Sequence, residues 1–151
     1  MSSAKDRRVE SSAAAADATF PSQPWENHTV RFTAQWVSSV AVIGAYGELD
    51  ASNANQLANY VQRCSAHAKH VIVDLTGLEF FGTAGFSALH TINVRCAGTD
   101  VEWAVVPGPA VSRVLRICDP DNTLPTTNSA AAGLATDDEP QRLFQLIPQA
   151  R

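Results

Sequence analysis

The residues best placed for chemistry lie in Val71–Leu89, VIVDLTGLEFFGTAGFSAL. An apolar strand pattern runs through a Gly82-Thr83 turn into an amphipathic helix, so the Thr83 hydroxyl falls at a helix N-terminus. Backbone N–H groups there lack intrahelical partners, and the helix dipole presents partial positive charge. Such a site tolerates a phosphate. It equally suits a plain N-cap, which contributes about 1 kcal/mol. A second constellation is Cys64, His67 and His70, spaced Cys-x-x-His-x-x-His. A structural zinc wants four ligands in a defined geometry. No fourth ligand lies nearby and His70 opens a strand, so these residues read as a solvated helix end, with no metal. Asp50, Asp74 and Glu79 do not form an acid–base set, because no histidine stands beside a nucleophile in a recognisable motif. No glycine-rich phosphate loop is present either, so neither an enzyme nor a cofactor is expected. Asp119-Pro120-Asp121-Asn122 begins like a calcium loop but lacks its glycine and terminal glutamate. It reads as a turn.

The elements that must position these groups follow from periodicity. Val30–Trp36 alternates, with Val30, Phe32, Ala34 and Trp36 on one face. Val40–Ala45 is a nearly continuous apolar run closed by Gly47. Asp50 or Ser52 is expected to cap the next helix, whose apolar stripe is Ala54, Leu57, Ala58, Val61 and Cys64. His70–Leu75 is a buried-type strand, and Gly85, Leu89, Ile92 and Cys96 form the apolar face of the helix after Thr83. Val101–Val106 is the next strand. Pro109 sits in the first turn of a third helix with the face Val111, Val114, Leu115 and Cys118. Strands interleaved with helices imply a sheet with parallel pairs.

Composition sets the bounds. The chain has 151 residues, 45% of them hydrophobic and 17% charged, which fits one domain with tails. Residues 1–28 are Ala/Ser-rich with Pro21 and Pro24 and read as a disordered tail. Residues 29–136 read as the domain, and 137–151 as an extension in which Gln141–Ile147 is apolar enough to pack back. A net charge of −4 without a Lys/Arg cluster argues against nucleic acid or an anionic membrane as partner. No apolar run approaches the ~20 residues that span a bilayer. Lys5, Arg7 and Arg8 are not followed by a proper apolar stretch, so a secretory signal is not read. Three scattered cysteines do not form a disulfide framework, and a reducing, cytoplasmic setting is expected. Each cysteine falls on its helix's apolar stripe, so three buried thiols are expected. The sharper alternative pairs Cys64 with Cys96 as a redox switch, which needs Cα atoms within ~7 Å.

Three segments, in order, resemble the STAS domain of bacterial anti-sigma factor antagonists. The first is Gly47-Glu48-Leu49-Asp50, which matches the family's Gly-Glu-Leu-Asp. The second, Asp74 to Gly85, reads DLTGLEFFGTAG and is similar to Asp-Leu-Ser-Gly-(apolar)-x-Phe-(apolar)-Asp-Ser-Ser-Gly. The third is Pro109 to Leu115, PAVSRVL. The resemblance covers roughly residues 30–136 and implies an α/β fold: a single STAS-like domain with a small mixed β-sheet of four or five strands and packed α-helices. It implies binding to a kinase-like anti-sigma factor, release of a sigma factor, and no catalysis by this chain. The family's phosphoacceptor serine falls on Thr83, and its second serine on Ala84. The implied partner-binding residues are Gly47, Glu48, Leu49, Asp50, Phe81, Gly82, Thr83, Ala84, Gly85 and Phe86, with Phe86 expected as an exposed aromatic anchor. The family's Asp before the phosphoacceptor is Gly82 here, which removes a carboxylate and is expected to loosen the turn through positive φ. Two schemes follow. Either Thr83 is a phospho-switch, or the module lacks one and answers to redox, a ligand or another partner.

Overall fold

A computed structural model describes residues 23–132 of the chain. The elements are β1 (Trp25–Glu26), β2 (Val30–Val37), β3 (Val40–Leu49), α1 (Ala54–Ser65), β4 (His70–Phe81), α2 (Thr83–Ala97), β5 (Glu102–Val106) and α3 (Gly108–Cys118). Helical backbone resumes at Ala130–Ala132, where the described residues end. The strands form one mixed sheet in the order β1-β2-β3-β4-β5. The β1–β2 and β2–β3 pairs are antiparallel, and the β3–β4 and β4–β5 pairs are parallel. This is the mixed α/β architecture that the alternation of strand and helix patterns predicts.

Period-2 alternation sorts the strand residues between two faces. Val30, Phe32 and Ala34 of β2, Ala41, Ile43 and Ala45 of β3, Val71, Val73 and Leu75 of β4, and Trp103 and Val105 of β5 join one core cluster. The helices close it with Leu57, Val61 and Cys64 of α1, Leu89, Ile92 and Cys96 of α2, and Ala110 and Val111 of α3. Burying a side chain of the size of Leu57 or Leu89 stabilises the fold by about 1.5–3 kcal/mol. On the opposite face Val40, Ile72 and Val106 make a smaller cluster. The third helix departs from expectation: Val114, Leu115 and Cys118 are only half-buried.

Two strand boundaries are longer than the apolar runs suggest. β3 continues past Gly47 to Leu49, and β4 continues past Leu75 to Phe81. The extra length pairs with itself, through register shifts between Gly44 and Tyr46 and between Gly47 and Glu48. Such bulges bend a strand and re-aim its side chains. The domain also begins earlier than residue 29. Trp25 stacks on Phe32 at a centroid distance of 5.3 Å, and the Tyr60 hydroxyl donates to the Gln23 carbonyl at 2.9 Å. Burial pushes the Tyr60 phenol up to about 12, so it remains a donor at neutral pH. The segments 1–22 and 133–151, including Gln141–Ile147, lie outside the described residues.

The acidic turn after α3 is held by one side chain. Asp119 accepts hydrogen bonds from the Thr123 N–H at 2.9 Å, the Thr123 hydroxyl at 2.6 Å and the Leu124 N–H at 3.1 Å. Burial opposes its ionisation, but the bonds from Thr123 and Leu124 prevail and hold its pKa below the usual value. Its carboxylate is thus engaged in closing the turn.

Candidate functional site

Two segments distant in sequence meet because β3 and β4 run parallel. The register sets Gly47 beside Leu78, Glu48 beside Phe80 and Leu49 beside Phe81. The Gly82 N–H then donates to the Leu49 carbonyl at 3.0 Å, which ties the start of α2 to the end of β3.

The Gly47–Asp50 segment is fastened from below. Asn53 is 1% exposed. Its amide donates to the Glu48 carbonyl at 2.9 Å and to the Thr29 hydroxyl at 3.3 Å, and its side-chain oxygen accepts from the Asp50 N–H at 2.9 Å. Asn53 occupies the position before α1, and no side chain caps that helix. The caps expected at Asp50 or Ser52 are therefore absent. Instead the Asp50 carboxylate accepts from the Ser52 hydroxyl at 2.6 Å and the Ser52 N–H at 2.9 Å, which lower its pKa. Sequence reasoning missed Asn53. Its signal was a polar residue one position before a helical stripe, a pattern shared with ordinary caps. Asn53→Ala should remove three part-buried hydrogen bonds, to the Glu48 carbonyl, the Thr29 hydroxyl and the Asp50 N–H, and cost about 2 kcal/mol. A lower urea midpoint at unchanged m-value would register this.

Thr83 is exposed and is the first residue of α2, with Gly82 in the cap position. The expected N-cap role of Thr83 does not hold, since no side chain caps this helix. Gly82 has φ −87° and ψ 177°, an extended conformation that any residue adopts. The expected loosening through positive φ is thus absent. A Cβ at Gly82 would lie 3.3 Å from Phe80 Cε2, so a carboxylate-bearing residue fits after a small ring adjustment.

The ten residues singled out in sequence divide by burial. Leu49 and Phe81 belong to the core, at 0% and 4% exposure. The Phe81 ring lies against Gly85, where an added Cβ would meet Cε1 at 2.4 Å. These residues support the surface from beneath. Glu48 and Thr83 are exposed, while Gly47, Asp50, Gly82, Ala84 and Phe86 are half-buried. Phe86 packs against the core cluster, which corrects its expected role as an exposed anchor. The exposed aromatics here are Tyr46, at 49%, and Phe80, at 51%. The available signal was the doublet Phe80-Phe81, of which an alternating strand can bury only one.

None of the three cysteines forms a disulfide, with Cys64 and Cys96 buried and Cys118 half-buried. Burial pushes the Cys64 thiol up to about 11 against a lowering effect of Arg63, and burial also raises Cys96. A raised pKa suppresses the reactive thiolate. Native protein should therefore react quickly with a thiol reagent at Cys118 alone, and denatured protein at all three; rapid native labelling of Cys64 or Cys96 would contradict this. Among the described residues no cluster of three His, Cys, Asp or Glu side chains can hold a metal, and no helix is long and apolar enough to cross a membrane.

Fold and site together define a small α/β domain in which a strand-end turn abuts a helix start bearing an accessible hydroxyl. The chain belongs to the STAS domain family, whose profile matches residues 31–132. It is 30% identical over 111 residues to the anti-sigma-F factor antagonist RsfA of Mycobacterium tuberculosis, covering 69% of this chain and 87% of that protein. It is 37% identical over 70 residues to osmosensory protein A of Mycobacterium tuberculosis, covering 46% of this chain. That match spans 44% of osmosensory protein A, less than half its length. In fold it resembles the crystal structure of an anti-sigma factor antagonist from Mycobacterium paratuberculosis, with a TM-score of 0.64 and 24% identity over 72% of this chain and 93% of that one.

Proposed function

We infer that this chain is an anti-sigma factor antagonist: it binds a kinase-like anti-sigma factor in the cytoplasm and so frees a sigma factor, without catalysis of its own. The observation that carries this reading is the β3–β4 register, which sets Glu48 beside Phe80 and brings Gly47–Asp50 against the start of α2. The 30% identity to an anti-sigma-F factor antagonist supports the choice of partner class. In this reading Thr83 is the phosphoacceptor. It is exposed, and its neighbours Gly82, Ala84 and Phe86 offer no cation to a phosphate. A dianion there, covered by a partner, meets desolvation and nearby carboxylates and disrupts docking.

Gly82 keeps a second reading open, since this chain has no carboxylate before its acceptor. In that reading the module docks without a phospho-switch and is governed by redox at Cys64 and Cys96, a ligand or another partner. The test is incubation of the pure protein with each kinase-like anti-sigma factor of the source organism and ATP, followed by mass spectrometry. Phosphate on Thr83 with loss of the complex supports the switch. A stable complex with Thr83 unmodified selects the second reading, and no complex with any of them overturns the antagonist assignment.

A further inference from the structure

α3 and the turn after it border an open cavity of about 430 Å3. Ser112, Leu115, Arg116 and Asp119 line it, at the three- and four-residue spacing that puts side chains on one helix face. Thr126 also lines it, from a strap bridged to β5. The Val105 N–H donates to the Pro125 carbonyl and the Thr127 N–H to the Val105 carbonyl, each at 2.9 Å. The turn itself contributes Pro120 and Asn122, and Asn122 takes φ 55°, a left-handed conformation that asparagine tolerates. The Asp119 bonds to Thr123 and Leu124 fix this turn, so the cavity is preformed, as ligand pockets of about 300–1,000 Å3 usually are. Its polar groups are unmatched. Both Arg116 and Asp119 line it, yet no ion pair joins them, and among the described residues the side chains of Ser112, Asn122 and Thr126 make no hydrogen bond. Asp119 accepts only from uncharged donors, twice on Oδ1 and once on Oδ2, which leaves Oδ2 an open acceptor position. Leu115, Pro107 and Pro120 add an apolar surface.

We propose that this cavity binds a free amino acid with an apolar side chain, its carboxylate on Arg116, its ammonium on Asp119 and its side chain against Leu115, Pro107 and Pro120. A pure anion would meet the Asp119 carboxylate, and a pure cation the Arg116 guanidinium. A molecule that carries both charges satisfies both. The planar fork of arginine matches a carboxylate, and bonds between charged partners are the strong ones. The hydroxyls of Ser112 and Thr126 and the Asn122 amide supply further donors to the carboxylate. The cavity shares no residue with Gly47–Asp50 or Phe81–Phe86, and the proposal does not rest on the antagonist reading.

The experiment records amide NMR spectra of the isotope-labelled full chain during titration with four probes. These are L-leucine, L-phenylalanine, phenylpropionate, which lacks the ammonium, and phenylethylamine, which lacks the carboxylate. The amino acids should give saturable shifts centred on Ser112, Arg116, Asn122 and Thr126. Loss of either charge from the probe should weaken binding about tenfold, the scale of one hydrogen bond between charged partners. Arg116→Gln should weaken amino-acid binding by about the same factor, and it should melt like wild type because Arg116 is exposed. Absence of saturable shifts with both amino acids, or shifts centred elsewhere, overturns the proposal. So does either truncated probe binding within twofold of the amino acids, or wild-type affinity in a folded Arg116→Gln.

Discussion

Gly47→Ala is expected to destabilise the domain by about 3 kcal/mol, combining a backbone penalty of roughly 1–3 kcal/mol with an overpacking term of similar size. Gly47 sits at φ 105°, where L side chains are strained. An added Cβ would also lie 2.3 Å from the Thr29 carbonyl oxygen. That oxygen accepts the Glu48 N–H at 2.9 Å, so it cannot retreat without breaking a strand-end hydrogen bond. The Thr29 hydroxyl further accepts from Asn53, which holds the Glu48 carbonyl and the Asp50 N–H. Strain at one glycine thus reaches the whole Gly47–Asp50 segment, and partner affinity should fall together with the melting temperature. Gly98→Ala is the control, because Gly98 has φ −85° and an added Cβ would come no closer than 3.7 Å to the Arg95 carbonyl oxygen. A Gly47→Ala protein that melts with the Gly98→Ala control would contradict this account of the turn.

Thr83→Glu should weaken the complex with the anti-sigma factor by about 2 kcal/mol, roughly 30-fold, the scale of burying an unpaired charge at an interface. Thr83→Ala should bind like wild type, since no side chain caps α2 and the first turn keeps its Gly85 N–H to Gly82 carbonyl bond at 2.9 Å. Both variants should fold, as the position is exposed. Gly82→Asp adds a sharper test. The extended backbone at Gly82 accepts aspartate, so stability should change little. If the missing carboxylate limits phosphoryl transfer, this variant should be phosphorylated faster than wild type on Thr83. Equal binding by Thr83→Glu and wild type would remove the switch, and would leave docking itself to be judged by titration of the wild-type protein.

The sequence by itself determined the order of elements from β2 to α3, the faces of the first two long helices and the identity of the segments that meet, whereas β1 lies in a stretch that reads as tail. Periodicity carries that information, because a residue's side of a strand or helix depends on spacing alone. Leu57, Val61 and Cys64, or Leu89, Ile92 and Cys96, could face the core in only one way, and the family motifs named the segments around Asp50 and Thr83. What only the tertiary structure decided is which residues of those motifs reach solvent. Two strands that pair through register shifts reset the alternation locally, so Phe80 turns out while Phe81 turns in against Gly85. Phe86, three residues before Leu89 and so at the edge of the same helix face, is drawn against the core by the seat of α2. Asn53 shows the same limit. Its amide serves the Glu48 carbonyl on β3 and the Thr29 hydroxyl in the bend before β2, and no local pattern can anticipate partners that only pairing of β2 with β3 brings within reach.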